Sequence, residues 1–292
     1  MMSNLNDPNR KTAMKNFLFF NDFSSEAEHA AELALLLAGK TGANLYVWNT
    51  IEYSAVPKAQ LVIAGTNENE DLPEIQADKH TWIEKLESRL NWETGLRPVV
   101  HFIEGVDYVS DNALSIVKRF DVGLLIRGTG GDNEHSSYIE ANILKSATKS
   151  GCPVLLIPKH FTYKTFEKMV YPTDLRFCRH DVVVFLTQMA KWLQSSVLIA
   201  NISEKGLPHM EENYARSVFE DAVLTPNNHD YIYFSNVKER DVSKALDILV
   251  NGMNNDLLVM VNNKFHFNEL LGHDSPYAIP ENIRVPLLIF PS

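Results

Sequence analysis

Short, wholly apolar runs alternate along the chain with stretches whose apolar residues recur every three or four positions. Phe17–Phe20 is a continuous apolar run, the pattern of a strand buried on both faces. Asn21-Asp22-Phe23-Ser24 breaks it and offers Ser24 or Ser25 as a helix N-cap. From Glu26 to Gly39 the apolar residues fall at helical spacing (Ala27, Ala30, Ala31, Ala34, Leu35, Ala38), Gly42 marks a turn, and Ala43–Trp48 is a second strand. Strand, helix and strand at this length predict a right-handed βαβ unit and therefore a parallel sheet. The spacing then predicts a helix over 76–91 with Trp82, Leu86 and Leu90 on one face, a strand at Val99–Ile103 and a helix over Ser110–Phe120. A strand at Val122–Ile126, a helix over 138–150 closed by Gly151 and a strand at Pro153–Pro158 complete the set. Residues 53–75 are irregular, with an acidic tract at Asn67–Asp71.

The same message is written a second time. FLFFNDFS at 17–24 is matched by MVYPTDL at 169–175, DVGLLI at 121–126 by DLLVMV at 256–261, and CPVLLIP at 152–158 by VPLLIFP at 285–291. A repeat of this length is a whole domain, not a solenoid unit. The chain reads as two doubly wound α/β domains, each with a mostly parallel five-stranded sheet, over 15–160 and 166–292. Residues 1–14 are polar and are expected to be a disordered lead-in. In the second copy the pattern predicts a helix over 179–194, a strand at Val197–Asn201 and a helical stretch at Tyr214–Ala222. A strand at Tyr231–Phe234, a helix over Val242–Gly252 and strands at Asp256–Val261 and Pro286–Phe290 follow.

Composition narrows the function. With 292 residues, 45% hydrophobic and 22% charged, the chain is ordinary for a globular protein, and no apolar run reaches a membrane-spanning length. A net charge of −10 without a basic run argues against nucleic acid. Two isolated cysteines, Cys152 and Cys178, fit the reducing cytoplasm. Neither a G-x-S-x-G elbow nor a Walker A lysine is present. His266, His273 and Cys178-x-His180 are too sparse for a zinc site.

The candidate chemistry lies between strand and helix after Val122–Ile126. Arg127-Gly128-Thr129-Gly130-Gly131 would let backbone N–H groups face an anion at a helix N-terminus. Over both halves the chain resembles the universal stress protein family, through NDFSSEAEHAAELALLLAGKTGANLYV, DVGLLIRGTGG and KSGCPVLLIP. The resemblance implies the adenine nucleotide alpha hydrolase-like fold, a non-enzymatic stress-response role, and ATP or another adenine nucleotide with magnesium as ligand. Nucleotide-binding members carry G-x2-G-x9-G-[ST]; Gly128 and Gly131 match its first half, while Ala141 and Asn142 stand at the last two positions. Asp22, with Asn21 beside it, takes the place of the base-side Asp, and Thr50 follows the second strand where the base pocket is lined.

Two features oppose triphosphate. Between residues 127 and 142 one positive charge, Arg127, stands against three negative ones, Asp132, Glu134 and Glu140, and Ser137-x-x-Glu140 reads as a capping box that takes part of the helix donors itself. In the second copy Asn262-Asn263-Lys264-Phe265-His266-Phe267 replaces the glycine loop, and its bulk would fill a phosphate site. The apolar final strands, Val154–Ile157 and Pro286–Phe290, are expected at sheet edges, where the two copies pair with each other; a further homodimer and a protein partner remain open. Three functions stay in play: a nucleotide-sensing stress module, a ligand-free interaction scaffold, and a slow nucleotide hydrolase acting through Asp22.

Overall fold

The computed structural model describes residues 16–22, 24–49, 72–90, 92, 97–103, 109–129, 149–162, 165–224, 231–262, 264–271 and 283–292. Among the described residues ten strands form one sheet: β1 (Asn16–Asn21), β2 (Leu45–Asn49), β3 (Val100–Ile103), β4 (Val122–Thr129), β5 (Val154–Pro158), β6 (Lys168–Thr173), β7 (Ser196–Asn201), β8 (Ile232–Asn236), β9 (Leu257–Val261) and β10 (Leu287–Phe290). Their order is β3-β2-β1-β4-β5-β10-β9-β6-β7-β8. Every pairing is parallel except β5 with β10, where Leu287 meets Leu156 and Ile289 meets Val154. Read outward from that seam, the two halves have the same strand order.

Both faces of the sheet are covered, which is why the strands are apolar at consecutive positions. Phe17 and Phe19 point into one layer, and Leu18 and Phe20 into the other. The first layer holds α1 (Ser25–Thr41), α2 (Leu72–Arg89), α4 (His180–Leu193) and α5 (Glu212–Phe219). The second holds α3 (Val109–Arg119), α6 (Val242–Asp247) and α7 (Phe265–Leu271). The alanines of α1 bring its axis close to the strands, and Gly42 ends it in the left-handed conformation that closes a helix on its own carbonyls (φ 71°). Arg89 of α2 reaches Glu28 and Glu32 of α1, a surface link between neighbouring helices.

The seam is packed as a core. Leu155, Ile157, Leu288 and Phe290 are buried on one side, and Phe290 meets Phe185 of α4 edge to face at 5.2 Å. The Asp256 carboxylate accepts from the backbone N–H groups of Glu167 (2.8 Å) and Lys168 (3.1 Å), fastening the start of β6 beside β9. The final strands therefore lie in the middle of the sheet, and β3 and β8 are its edges.

The structure corrects four expectations of local structure. β4 runs on through Arg127, Gly128 and Thr129, which pair with Leu156, Ile157 and Pro158 of β5, so Gly128 is a strand residue and not a loop residue. A 3₁₀ turn at Leu175–Phe177 precedes α4. The helix expected over 242–252 widens into a π turn at Ile248–Gly252, and α5 does likewise at Glu220–Leu224. Residues 265–271, expected only as bulk at the end of β9, form a short helix. Residues 1–14, most of the irregular 53–75 stretch and nearly all of the expected 138–150 helix lie outside the described residues.

Phe290→Ala should lower unfolding stability by about 3–5 kcal/mol, since it empties a packed aromatic site at the seam. Urea unfolding measures this; a loss under about 1 kcal/mol would show that the seam contributes little.

Candidate functional site

Each half places the carboxyl ends of its strands at the crevice where an open α/β sheet changes strand order, the ligand-binding position of such folds. In the first, Asn21 and Asn49 end β1 and β2 side by side, and the Asn21 amide donates to the Asn49 side-chain oxygen at 3.1 Å. Asp22 follows at once. Its Oδ1 accepts from the Ser24 N–H (3.0 Å) and the Ser24 hydroxyl (2.5 Å). The Ser24 oxygen in turn accepts from the Ala27 N–H, capping α1. Asp22 Oδ2 lies 3.6 Å from Arg127 Nη2; the Arg127 side chain is 3% exposed and that of Asp22 is 34% exposed. The arginine rises from the floor of the cleft, and the carboxylate above it keeps a face toward solvent.

The second charged pair sits at the side wall. Lys159, just past β5, meets Glu26 at 2.7 Å, and the Ser25 hydroxyl donates to the other Glu26 oxygen at 2.9 Å. The Lys159 hydrogen bond holds the Glu26 carboxyl below its ordinary range against the opposing effect of burial. Two ion pairs, Asp22 with Arg127 and Glu26 with Lys159, thus stand at the start of α1.

Gly128 has a packing reason to be glycine. A Cβ there would stand 2.4 Å from the Glu26 carbonyl oxygen and 2.7 Å from its carbon. The missing side chain lets the first turn of α1 rest directly on β4.

The strand registers identify the corresponding residues of the second half. Leu18 pairs with Leu125 as Val170 pairs with Leu258, which sets Arg127 opposite Met260 and Gly128 opposite Val261. With a valine there, the chain does not turn straight into the helix. It makes the 3₁₀ turn at 175–177, and α4 begins six residues after Asp174, whereas α1 begins three after Asp22. The turn supplies the cation that Met260 does not. Arg176 donates to Asp174 from Nε (2.8 Å) and Nη2 (2.5 Å), and the backbone N–H groups of Arg176 (3.0 Å) and Glu204 (2.9 Å) donate as well. Asp174 is 2% exposed. Burial alone would raise its pKa; the Arg176 pair and the two N–H donors outweigh burial and lower it. Leu175 N–H donates to Asn201, whose amide donates to Asn236.

The second cleft has little space. Tyr171, Phe177, Arg179, Glu204, His266 and Phe267 line a cavity of about 20 Å³, little more than one water molecule needs. Cys178 stands beside it, and burial pushes its thiol up to about 12, so it is not a thiolate nucleophile at neutral pH.

Among the residues singled out in the sequence, the structure brings together Asn21, Asp22 and Gly128; Thr50, Gly131, Ala141 and Asn142 lie outside the described residues. Sequence reasoning missed Asn49, Glu26 and Lys159, and it counted Arg127 as a loop charge. The usable signal for Arg127 was its position directly after LLI in an apolar strand, and for Asn49 the asparagine that also ends β7.

No family model matches the sequence, and no curated protein matches it. Solved structures do. A universal stress protein from Archaeoglobus fulgidus DSM 4304 is 14% identical, with 94% of this chain and 96% of that chain covered at a TM-score of 0.61. The chain has the universal stress protein fold. A putative universal stress protein from Pseudomonas aeruginosa UCBPP-PA14 is 11% identical, with 96% and 94% covered at a TM-score of 0.53. A protein of unknown function from Pseudomonas aeruginosa PAO1, also 11% identical, covers 96% and 93% at 0.51.

Gly128→Ala should cost about 1–3 kcal/mol with or without ligand, because its Cβ meets backbone and not a flexible side chain. An unchanged melting curve would show that α1 gives way freely. Asp174→Asn should cost about 1–3 kcal/mol at neutral pH by leaving Arg176 without its carboxylate. Because the folded Asp174 pKa is depressed, its contribution is present above the unfolded value of about 3.9 and is lost as pH falls through the folded value. Parent and variant stabilities should therefore converge in strong acid; a constant difference down to about pH 2 would remove the linkage.

Proposed function

We propose that the chain is a tandem universal stress protein, a cytoplasmic and non-enzymatic stress-response module whose first half weakly binds an adenine nucleotide with magnesium. The observation that carries this reading is the contrast between the two equivalent aspartates. Asp22 keeps a solvent-facing carboxylate at the mouth of the first cleft, suited to accept from an exocyclic amino group, whereas Asp174 is enclosed by four donors. Lys159 at the side wall offers a cation toward an anionic ligand group. Binding is weak in this reading because Asp22 gives up contacts to Ser24 and Arg127, and because Glu26 adds negative charge nearby. The β5–β10 pairing supports the view that the halves serve each other as partners. Among the described residues, no helix is long and apolar enough to cross a membrane.

A second reading, an interaction scaffold without ligand, is favoured by one observation: both oxygens of Asp22 already face protein groups that cap α1 and neutralise the carboxylate.

Calorimetric titration of ATP, ADP and AMP with magnesium separates the two. The nucleotide reading expects a Kd of about 0.1–1 mM, near −4 to −5.5 kcal/mol. It also expects loss of binding in Asp22→Lys and retention in Asp174→Asn. No heat from the parent at millimolar nucleotide leaves the scaffold reading.

A further inference from the structure

The second cleft is closed by an element that cannot hold itself. The described residues of α7, Phe265–Leu271, number seven, fewer than an isolated helix needs in water, so docking supports their helicity. Among its described side chains, Phe267 (2% exposed), His266 (5%) and Leu270 (9%) are buried and dock it. Phe267 and Leu270 enter the apolar layer shared with α6, while His266 enters the polar throat of the cleft. The His266 ring donates a hydrogen bond to the Ile202 carbonyl at the end of β7. A histidine at this place is an unusual choice for a plug, because it is the one side chain that gains a charge in mild acid.

We propose that α7 is an acid-released plug of the second cleft, with His266 as its trigger.

The surroundings disfavour an imidazolium. From the β6 side the nearest carboxylate is Asp174, and its charge is already matched by the Arg176 fork. From the turn before α4 comes Arg179, whose guanidinium is held by the Pro291 carbonyl and Asp181. On the loop after β7 stands Glu204, and at the rim before α7 stands the exposed Lys264. Tyr171 and Cys178 are both pushed upward by burial and stay neutral across the range in question. Burial is the largest influence on His266 and lowers its pKa, outweighing the Ile202 carbonyl and Asp174. The sign follows: a base whose docked pKa lies below its free value loses docking energy as pH falls below the free value, near 6.5. Glu269, on α7 itself, works in the opposite sense. Burial raises its pKa, Lys205 lowers it and Asp241 raises it, so its protonation favours the docked helix in acid. Among the described groups around α7, His266 is the one whose protonation opposes docking in mild acid.

Opening would uncover Phe267 and Leu270 together with the throat around Asp174 and Glu204, turning a filled half into an accessible one. This inference does not rest on nucleotide binding by the first half.

The test is hydrogen exchange of the full chain at pH 7.5 and 5.5, expressed as protection factors so that intrinsic exchange rates cancel. The parent should lose on the order of tenfold protection over 264–271 between the two values, up to one factor of ten per pH unit below the free histidine value. β6 and β9 should keep theirs. His266→Gln, which retains a donor for Ile202 but does not titrate, should show no pH-dependent loss. Equal protection of 264–271 at both values in the parent would overturn the proposal. The same loss in His266→Gln, or a loss shared by β6 and β9, would overturn it equally. Should His266→Gln fail to fold, the His266 ring is followed by NMR in the parent: titration in step with loss of α7 protection supports the trigger, and titration without it refutes the trigger.

Discussion

The contact on which the rest of the first cleft depends is the one made by a missing side chain. At Gly128 the strand carries no Cβ, and the Glu26 carbonyl occupies that space. This lets α1 start three residues after Asp22, with Ser24 as cap and Asp22 hydrogen-bonded to that cap. It also places the Glu26 side chain beside Lys159. At the corresponding position Val261 keeps the second helix away, and the intervening chain coils into a 3₁₀ turn. One residue type on the floor thus selects between two entries into the following helix.

The frame around these clefts is nearly indifferent to such choices. Strands buried on both faces ask only for apolar residues of suitable size, and the sheet accepts Phe17, Leu18 and Phe19 in one half where it takes Met169, Val170 and Tyr171 in the other. The antiparallel seam needs only that the two final strands be apolar and meet in register, as Leu155 with Leu288 does. The ten-stranded sheet is therefore symmetric in order while its two clefts differ.

That difference explains what was legible in the sequence. Continuous apolar runs marked the strands from Phe17 to Phe290, because burial on both faces leaves no polar positions to blur them. Helical spacing located α1, α4 and α6, because each buries one face and leaves polar residues on the other. The clefts were less readable, since their geometry depends on which residues oppose each other across strands distant in sequence. Arg127 resembled a loop charge because nothing local says that β4 continues through it to pair with β5. Gly128 resembled part of a phosphate loop because a glycine needed for close helix packing and one needed for an anion look alike in a single chain. The bulk of Phe267 and His266 was visible in sequence. That these residues would wind into a helix was not, because seven residues carry too little periodicity and owe their helicity to docking.

The electrostatics of the two aspartates complete the account. Each is a carboxylate at the end of a central strand paired with an arginine; burying an unmatched charge costs several kcal/mol, and the buried member of the pair is Arg127 in the first half and Asp174 in the second. In the first half the cation comes from below, from a buried arginine in β4, and the upper face of Asp22 stays open. In the second half the residue below is Met260, so the cation comes from the turn above, and Arg176 lies across the carboxylate it neutralises. A cation on the floor leaves the carboxylate exposed, and a cation on the turn encloses it. The difference in exposure between the two aspartates therefore follows from where each finds its counter-charge. Charge alone does not distinguish the halves, because each aspartate is matched by one arginine.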